Sequence, residues 1–462
     1  MLPLTAKEVA EMAAGRLDGG DPDVVVTGVA IDSRAARPGD LFVALTGEHT
    51  DGHRFLGDAV ERGASAVLVR EDVELPSGTT AVRVDDTVAG LQRLAAGART
   101  RMTAKLVAIT GSSGKTITKE LTAAVSRARF ATVASAASFN NEIGVPLTIL
   151  SAGADTEVVV AEVGSRGVGH IEALMPILRP DVSVVLNVGP AHIGLFGSLE
   201  NVGIAKGELV EGLAPEGVAV LNADDAAVAA MASRTRGRTI TFGTGAEADV
   251  RAEDVALDGD GTASFTLVSD GDRAKVSLRI AGEHLVSDAL AAAAVGHVLG
   301  VATKDAATAL SSTDGPAWRM QVVDAPEGWR VLNDAYNANP ASTAAALKTL
   351  VTLGRGRRTW AVLGTMAELG EFSTAEHDRI GRLVVRLGVS RLIVIGEHAR
   401  PLYEAARLEG MTLEEASLVP DTDQALAMLR ASLAPDDVVL VKASRAAGLE
   451  RVALAIAGEA VA

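Results

Sequence analysis

The sequence predicts a three-domain α/β protein, and three observations carry that expectation. At 462 residues the chain is too long for one ordinary domain. Apolar runs rich in β-formers alternate with helical patterns over two separate stretches, as in parallel sheets buried on both faces. One of these runs, Val107-Ala108-Ile109-Thr110, passes directly into Gly111-Ser112-Ser113-Gly114-Lys115-Thr116, a glycine-bracketed turn that opens a helix.

The first expected domain, residues 1–103, is a small α/β unit. Its strand-like segments are Val24–Ile31, Asp40–Leu45, Ala66–Val69 and Ala81–Val84, closed by a helix over Val88–Arg101. The second, residues 104–315, places strands at Lys105–Thr110, Glu157–Val163, Val182–Asn187 and Gly217–Leu221, with a helix over Lys115–Arg127. Near residues 249–281 the pattern becomes antiparallel, with a turn at Asp258-Gly259-Asp260-Gly261, so a parallel sheet with an antiparallel side sheet is expected. Helices follow at Ser287–Leu299 and Lys304–Leu310. Gly315-Pro316 marks the boundary to residues 316–462, a Rossmann-like doubly wound domain with strands at Arg330–Asn333, Thr359–Leu363, Leu392–Ile395 and Val438–Val441.

Composition excludes several functions. Nearly half the residues are apolar (48%) and only 3% are aromatic, so small aliphatic side chains build the core. The absence of cysteine removes disulfides, thiolate metal sites and a cysteine nucleophile, and fits a reducing cytoplasm. Lys7, Glu8 and Glu11 interrupt any apolar leader, and the longest apolar stretch, Ala289–Ala302, is too short to span a bilayer. A cytoplasmic protein without an integral membrane segment is expected. The net charge of −16 argues against nucleic-acid binding, so a phosphate-rich substrate must be held by locally placed cations and backbone N–H groups.

The Gly111–Thr116 turn points to nucleotide binding. Its glycines let the backbone close around phosphate oxygens, and the helix N-terminus directs free N–H groups at the anion. Lys115 can reach the terminal phosphates and Thr116 can ligate Mg²⁺. The turn is shorter than GxxxxGK[ST], because Ile109 stands where that pattern has its first glycine. Glu162 ends the strand Val158–Ala161 at the sheet edge where ligands bind, and can hold Mg²⁺ directly or through water. His192 follows the next strand on a loop at the same edge, where it fits a metal ligand or a structural histidine. Lys206, by itself, reads as an ordinary surface lysine on a helix starting near Leu199. Arg319, just beyond the interdomain Gly-Pro, could reach a phosphate across a cleft. Asp334–Pro340 forms a polar turn after a strand, and Lys442-Ala443-Ser444-Arg445 fits either an anion-binding loop or a solvated face.

Taken in order, these motifs resemble the Mur ligases of bacterial cell-wall synthesis, over essentially the whole chain. Asp32-Ser33-Arg34, Pro38–Leu45, Gly47-Glu48 and Asp51-Gly52-His53 are similar to the family's UDP-binding domain. The Gly111–Thr116 loop, Asn140-Asn141, Gly144–Thr148, Glu162 and His192 are similar to its ATPase domain. Asn333–Ser342, Leu363–Gly370 and Lys442–Arg445 resemble the members that add D-alanyl-D-alanine. The resemblance implies an ATP-dependent amide ligase acting, as a monomer, on UDP-MurNAc-tripeptide and D-Ala-D-Ala through an acyl phosphate. It assigns ATP contacts to the phosphate loop with Asn141, His284, Asp288, Arg319 and Asp334, the last at the ribose. Two Mg²⁺ ions would be held by Thr116, Glu162, His192 and Lys206, the lysine as a carbamate that turns a cation into an anionic ligand. Ser33, Arg34 and Thr46 would bind the UDP-substrate, and Asn337, Asn339, Lys442, Ser444 and Arg445 the peptide substrates. Three positions depart from the family pattern: Ile117 replaces a second threonine, Ala443 a glycine, and Asp288 an asparagine near the adenine. Sister ligases, folylpolyglutamate synthetases and a nucleotide-binding regulator without turnover are the alternatives.

Overall fold

A computed structural model describes residues 1–47 and 50–459, so Glu48 of the UDP-binding motif lies outside the described residues. The N-terminal sheet has five strands in the order Arg16–Asp18, Ala81–Val84, Ala66–Arg70, Asp40–Val43, Gly28–Ala30, parallel except for the first. The single strand expected over Val24–Ile31 is two. Val25–Val26 pairs with Leu4–Thr5, and Gly28–Ala30 joins the sheet. The break falls at Thr27, whose N–H bonds the Gly39 carbonyl (2.7 Å) instead of continuing one ladder. An unanticipated helix, Ala6–Ala13, starts at a capping box between Thr5 and Glu8. The closing helix, Thr87–Arg101, is capped by the Asp86 carboxylate.

The central sheet has nine strands, and its middle places the chemistry. Lys105–Thr110 lies between Val158–Glu162 and Val182–Val185, all parallel and in register, so their C-terminal ends emerge together. Thr132–Ala134 borders one side of this group, and Val218–Asn222 with Arg238–Gly243 extends the other. The antiparallel strands Val250–Leu257, Thr262–Ser269 and Asp272–Ala281 continue this same sheet, because Val250–Leu257 pairs with Arg238–Gly243 at Phe242 and Gly243. Helix Lys115–Arg127 packs against Leu285–Leu299, an alanine-rich helix buried nearly all round. Asp288 is the carboxylate inside that apolar contact.

The C-terminal sheet runs Gln321–Asp324, Arg330–Asn333, Val438–Lys442, Thr359–Leu363, Arg391–Ile395, Ala416–Val419, with only the first strand antiparallel. Gln321–Asp324 is at least partly exposed at every position and Ala416–Val419 at two of its four, which is why no apolar run marks them. Val438–Lys442, late in the chain, inserts between Arg330–Asn333 and Thr359–Leu363. This topological switch point opens a crevice beyond the strand ends, where Asp334, Gly364 and Ala443 follow. One apolar cluster continues from the central sheet into helix Pro340–Leu353, so the two sheets are joined by core packing.

Candidate active site

The strand ends of the central and C-terminal sheets face one cleft of about 880 Å³. Its floor is the phosphate-loop turn. Gly114 is left-handed (φ +81°), and a Cβ there would sit 2.3 Å from Asp288 Oδ1, so the loop closes only with glycine. The Ser112 and Ser113 N–H groups both donate to Asn187 Oδ1 (3.0 and 2.9 Å), which ties the loop to the neighbouring strand's exit. Lys115 Nζ donates to the Gly111 carbonyl at 2.8 Å. Burial lowers the Lys115 pKa, the Arg319 cation adds to that, and Glu162 opposes both.

Beside the loop, oxygen ligands converge. Thr116 Oγ1 donates to Glu162 Oε2 (2.8 Å), Asn140 Nδ2 donates to Glu162 Oε1 (2.6 Å), and the Ser138 hydroxyl lies 3.3 Å from Thr116 Oγ1. Glu162 is 1% exposed, so it is not a strand-end carboxylate facing solvent. Arg319 Nη2 donates to Ser138 Oγ (2.9 Å), bringing the interdomain segment onto the same cluster.

Lys206 corrects the surface reading: it is 3% exposed, because helix Leu199–Glu211 turns that face against the sheet. Its Nζ donates to Ser165 Oγ (2.8 Å) and lies 6.0 Å from the Phe196 ring centroid. Burial lowers its pKa well below the usual lysine range, with Lys115 pushing the same way and Glu208 opposing. His192 has a left-handed backbone (φ +57°) and pairs through Nδ1 with Glu368, in the loop after strand Thr359–Leu363 of the C-terminal sheet. Burial and the nearby Lys115 and Lys206 charges favour its neutral form, against the pull of Glu368. Among the described residues, no three His, Cys, Asp or Glu side chains converge as a metal site.

The remaining expected residues divide. Asp334 accepts from Lys442 Nζ and, at 3.1 Å, from the Met320 N–H. Lys442 also donates to the Asn337 carbonyl (2.8 Å) and is 2% exposed, so it braces the turn from below and is no solvated loop cation. Asn339 caps helix Pro340–Leu353, and Ser444 Oγ accepts the Ala367 N–H at 2.8 Å. Asn141 Oδ1 accepts the Gly144 N–H (2.9 Å) where helix Gly144–Leu150 begins, and Asn141 lines the cleft. Protein packed around His284, with Lys442 and Lys348 nearby, lowers its imidazole to about 4 against the pull of Asp334. Asp288 accepts from Thr118 Oγ1 (3.1 Å) and touches Gly114, so it lies directly under the phosphate loop. Arg445 is exposed, 4.8 Å from the Trp318 ring and paired with Glu450 at 3.2 Å.

Ser33, Arg34 and Thr46 stand apart from the cleft on segments that follow strands of the N-terminal sheet, where Ile31 reaches the cleft rim. Arg34 is held by Asp32 (Nη2–Oδ2 2.7 Å) with its side chain 84% exposed. Ser138, Asn187, Tyr336 and Glu368 were not singled out from the sequence. Tyr336 and Glu368 lie within the motifs above, but no spacing signals the contact of Tyr336 with Arg319 or that of Glu368 with His192 across two sheets.

The fold and this cleft define a nucleotide-dependent ligase of the Mur type, and the comparisons agree along the chain. Three family models match: "Mur ligase family, catalytic domain" over residues 25–106, "Mur ligase middle domain" over 109–296, and "Mur ligase, glutamate ligase domain" over 318–445. The chain belongs to the Mur ligase family. It is 43% identical to the UDP-N-acetylmuramoyl-tripeptide–D-alanyl-D-alanine ligase of Mycobacterium tuberculosis, covering 99% of this chain and 98% of that protein. The enzyme of the same name from Bacillus subtilis is 34% identical, with 98% of each covered. Among solved structures, MurF from Acinetobacter baumannii superposes with a TM-score of 0.87 at 29% identity over 99% of each chain. MurF from Thermotoga maritima in complex with ADP gives 0.80 at 27%, covering 94% of this chain and 98% of that one.

Proposed function

We propose that this protein joins D-alanyl-D-alanine to the tripeptide of UDP-N-acetylmuramoyl-tripeptide, using ATP. The observation that carries the reading is the convergence of the phosphate loop, the Thr116–Glu162 pair and Arg319 in one cleft, with the buried Lys206 bonded to Ser165 of its wall. Near-complete coverage of relatives bearing that enzyme's name supports the choice of substrates.

The tripeptide's terminal carboxylate attacks the γ-phosphorus of ATP, and ADP leaves. The dipeptide amine then attacks the acyl phosphate carbonyl, loses its proton, and the tetrahedral adduct collapses to an amide and phosphate. Lys115 and Arg319 place positive charge beside the transferred phosphoryl group, where it acts in a cleft of restricted solvent access. Asn141, His284, Asp288 and Asp334 surround the nucleotide; Asn337, Asn339, Lys442, Ser444 and Arg445 shape the peptide side. Ser33, Arg34 and Thr46 take the UDP end, away from the chemistry.

The donor chemistry suits Mg²⁺. Thr116 and Glu162 offer hard oxygens 2.8 Å apart, as a small divalent cation requires. When bound, the metal neutralises phosphate charge. A second Mg²⁺ would be held by Glu162, His192 and a carbamate on Lys206. The buried Lys206 amine, held toward its neutral form, is a nucleophile for CO₂. Its nitrogen adds to the carbon and releases a proton, leaving a carbamate anion. We place the domains at residues 1–103, 104–315 and 316–462, in a cytoplasmic monomer.

The test is phosphate release from ATP with UDP-MurNAc-tripeptide. D-Ala-D-Ala should support it and single amino acids should not. Release with a single amino acid or with glutamate alone points to a sister activity, and nucleotide binding without any release points to a regulator.

A further inference from the structure

Arg319 is oriented without being neutralised. It lies between Trp318 and Met320, two non-glycine residues with left-handed backbone (φ +60° and +52°). Both flanks are pinned: the Trp318 carbonyl accepts the Tyr336 N–H (3.1 Å), and the Met320 N–H donates to Asp334 (3.1 Å). The guanidinium then meets two partners, the Ser138 hydroxyl at 2.9 Å and the face of Tyr336, whose ring centroid is 4.0 Å from Cζ. Neither carries a negative charge. Among the described residues no carboxylate pairs with Arg319, whereas Arg358 holds one and Arg330 and Arg382 hold two each. In a chain with 59 acidic and 43 basic residues, an unpaired guanidinium inside a cleft is a selective arrangement.

A carboxylate would orient the guanidinium equally well but would cancel its charge. An aromatic face holds the planar cation through its quadrupole and leaves the charge free to act on an anion. The Ser138 oxygen that receives Arg319 also lies 3.3 Å from Thr116 in the phosphate loop, and the Arg319 and Lys115 charges repel one another across the gap. A multiply charged anion would relieve that repulsion.

We propose that Tyr336 is a positioning residue, whose ring face holds Arg319 beside the phosphate loop as an uncompensated cation for the terminal phosphate of the nucleotide. The inference rests on the ligase reading above. It is tested by titrating ADP and a non-hydrolysable ATP analogue into the wild type, Tyr336→Leu, Tyr336→Phe, Arg319→Ala and the Arg319→Ala/Tyr336→Leu double variant, alongside phosphate release. Tyr336→Leu should weaken the analogue about tenfold, the span expected for a partly desolvated cation–π contact, and leave ADP within about twofold. Its kcat should fall in step. Tyr336→Phe keeps the ring and should match the wild type. In the Arg319→Ala background Tyr336→Leu should have no further effect, because Tyr336 acts through that arginine. Unchanged analogue affinity in Tyr336→Leu, equal loss for ADP, or additive loss in the double variant overturns the inference. Absence of dipeptide-dependent release in the wild type overturns the ligase reading instead, and the nucleotide titrations still decide the role of Tyr336.

Discussion

Replacing Asp288 by asparagine probes the one carboxylate enclosed between the phosphate-loop helix and the alanine-rich helix. Asp288 is 5% exposed, and its hydrogen bond from Thr118 Oγ1 offsets only part of the desolvation. Burial raises its pKa from the ordinary 3.8 to about 7. The folded state therefore holds the proton over a range where the unfolded chain has released it, and stability falls as pH rises from about 4 to about 7. That interval corresponds to a ceiling of about 4 kcal/mol. Asparagine keeps the shape and accepts the Thr118 hydroxyl but never ionises. Asp288→Asn should melt slightly above the wild type at pH 5, where about a third of that interval has been crossed, and on the order of 5–10 °C above it at pH 8.5. Because the carboxylate touches Gly114, its ionisation also sets a negative charge under the phosphate loop. Wild-type affinity for ATP should weaken as pH rises through about 7, and that of the variant should not. Scanning calorimetry and ATP titration across pH 5–8.5 measure both effects. A melting difference independent of pH, or a variant less stable at pH 8.5, would refute the reasoning.

Three further outcomes are expected. Lys206→Ala should lose most activity and regain part of it with added short-chain carboxylates, while Lys206→Arg stays inactive because a guanidinium brings a cation to a site that needs an anion; an active arginine variant in the phosphate-release assay excludes the carbamate. Gly194→Ala puts a Cβ 2.3 Å from the Gly370 backbone nitrogen, so the loops carrying His192 and Glu368 must separate. Its kcat should fall at least about tenfold, since reacting groups misplaced by about an ångström lose that much or more, with ATP affinity by calorimetry unchanged. Arg34→Ala should raise the KM for the UDP-substrate and leave that for ATP in place, as expected for an exposed residue on the N-terminal sheet; a defect confined to ATP contradicts the assignment.

Local chemistry made part of this protein legible from its sequence. A run of β-formers ending in glycines and a Lys-Thr pair can hardly be anything but a strand, a tight turn and a helix start, and helix Lys115–Arg127 and strand Lys105–Thr110 lie where that logic puts them. Glu162 was readable for the same reason, since an apolar strand delivers its last residue to the sheet edge. The short outer strands Thr132–Ala134, Gln321–Asp324 and Ala416–Val419 were not, because partly exposed edges need no apolar run. Burial of long side chains was also invisible. Lys206 and Lys442 look like surface lysines until tertiary packing encloses them, and only enclosure shifts the proton of the first and turns the second into a brace for Asp334. Contacts between distant segments depended wholly on the fold: Arg319 on Tyr336 and Ser138, His192 on Glu368, and Asp288 under Gly114. The sequence by itself determined which groups could do chemistry, because residue type and local backbone preference are encoded over a few neighbours. Which of those groups face one another, and with what charge, was decided by the tertiary structure, because proximity and desolvation arise from segments separated along the chain, by 41 residues for Lys206 and Ser165 and by 181 for Arg319 and Ser138.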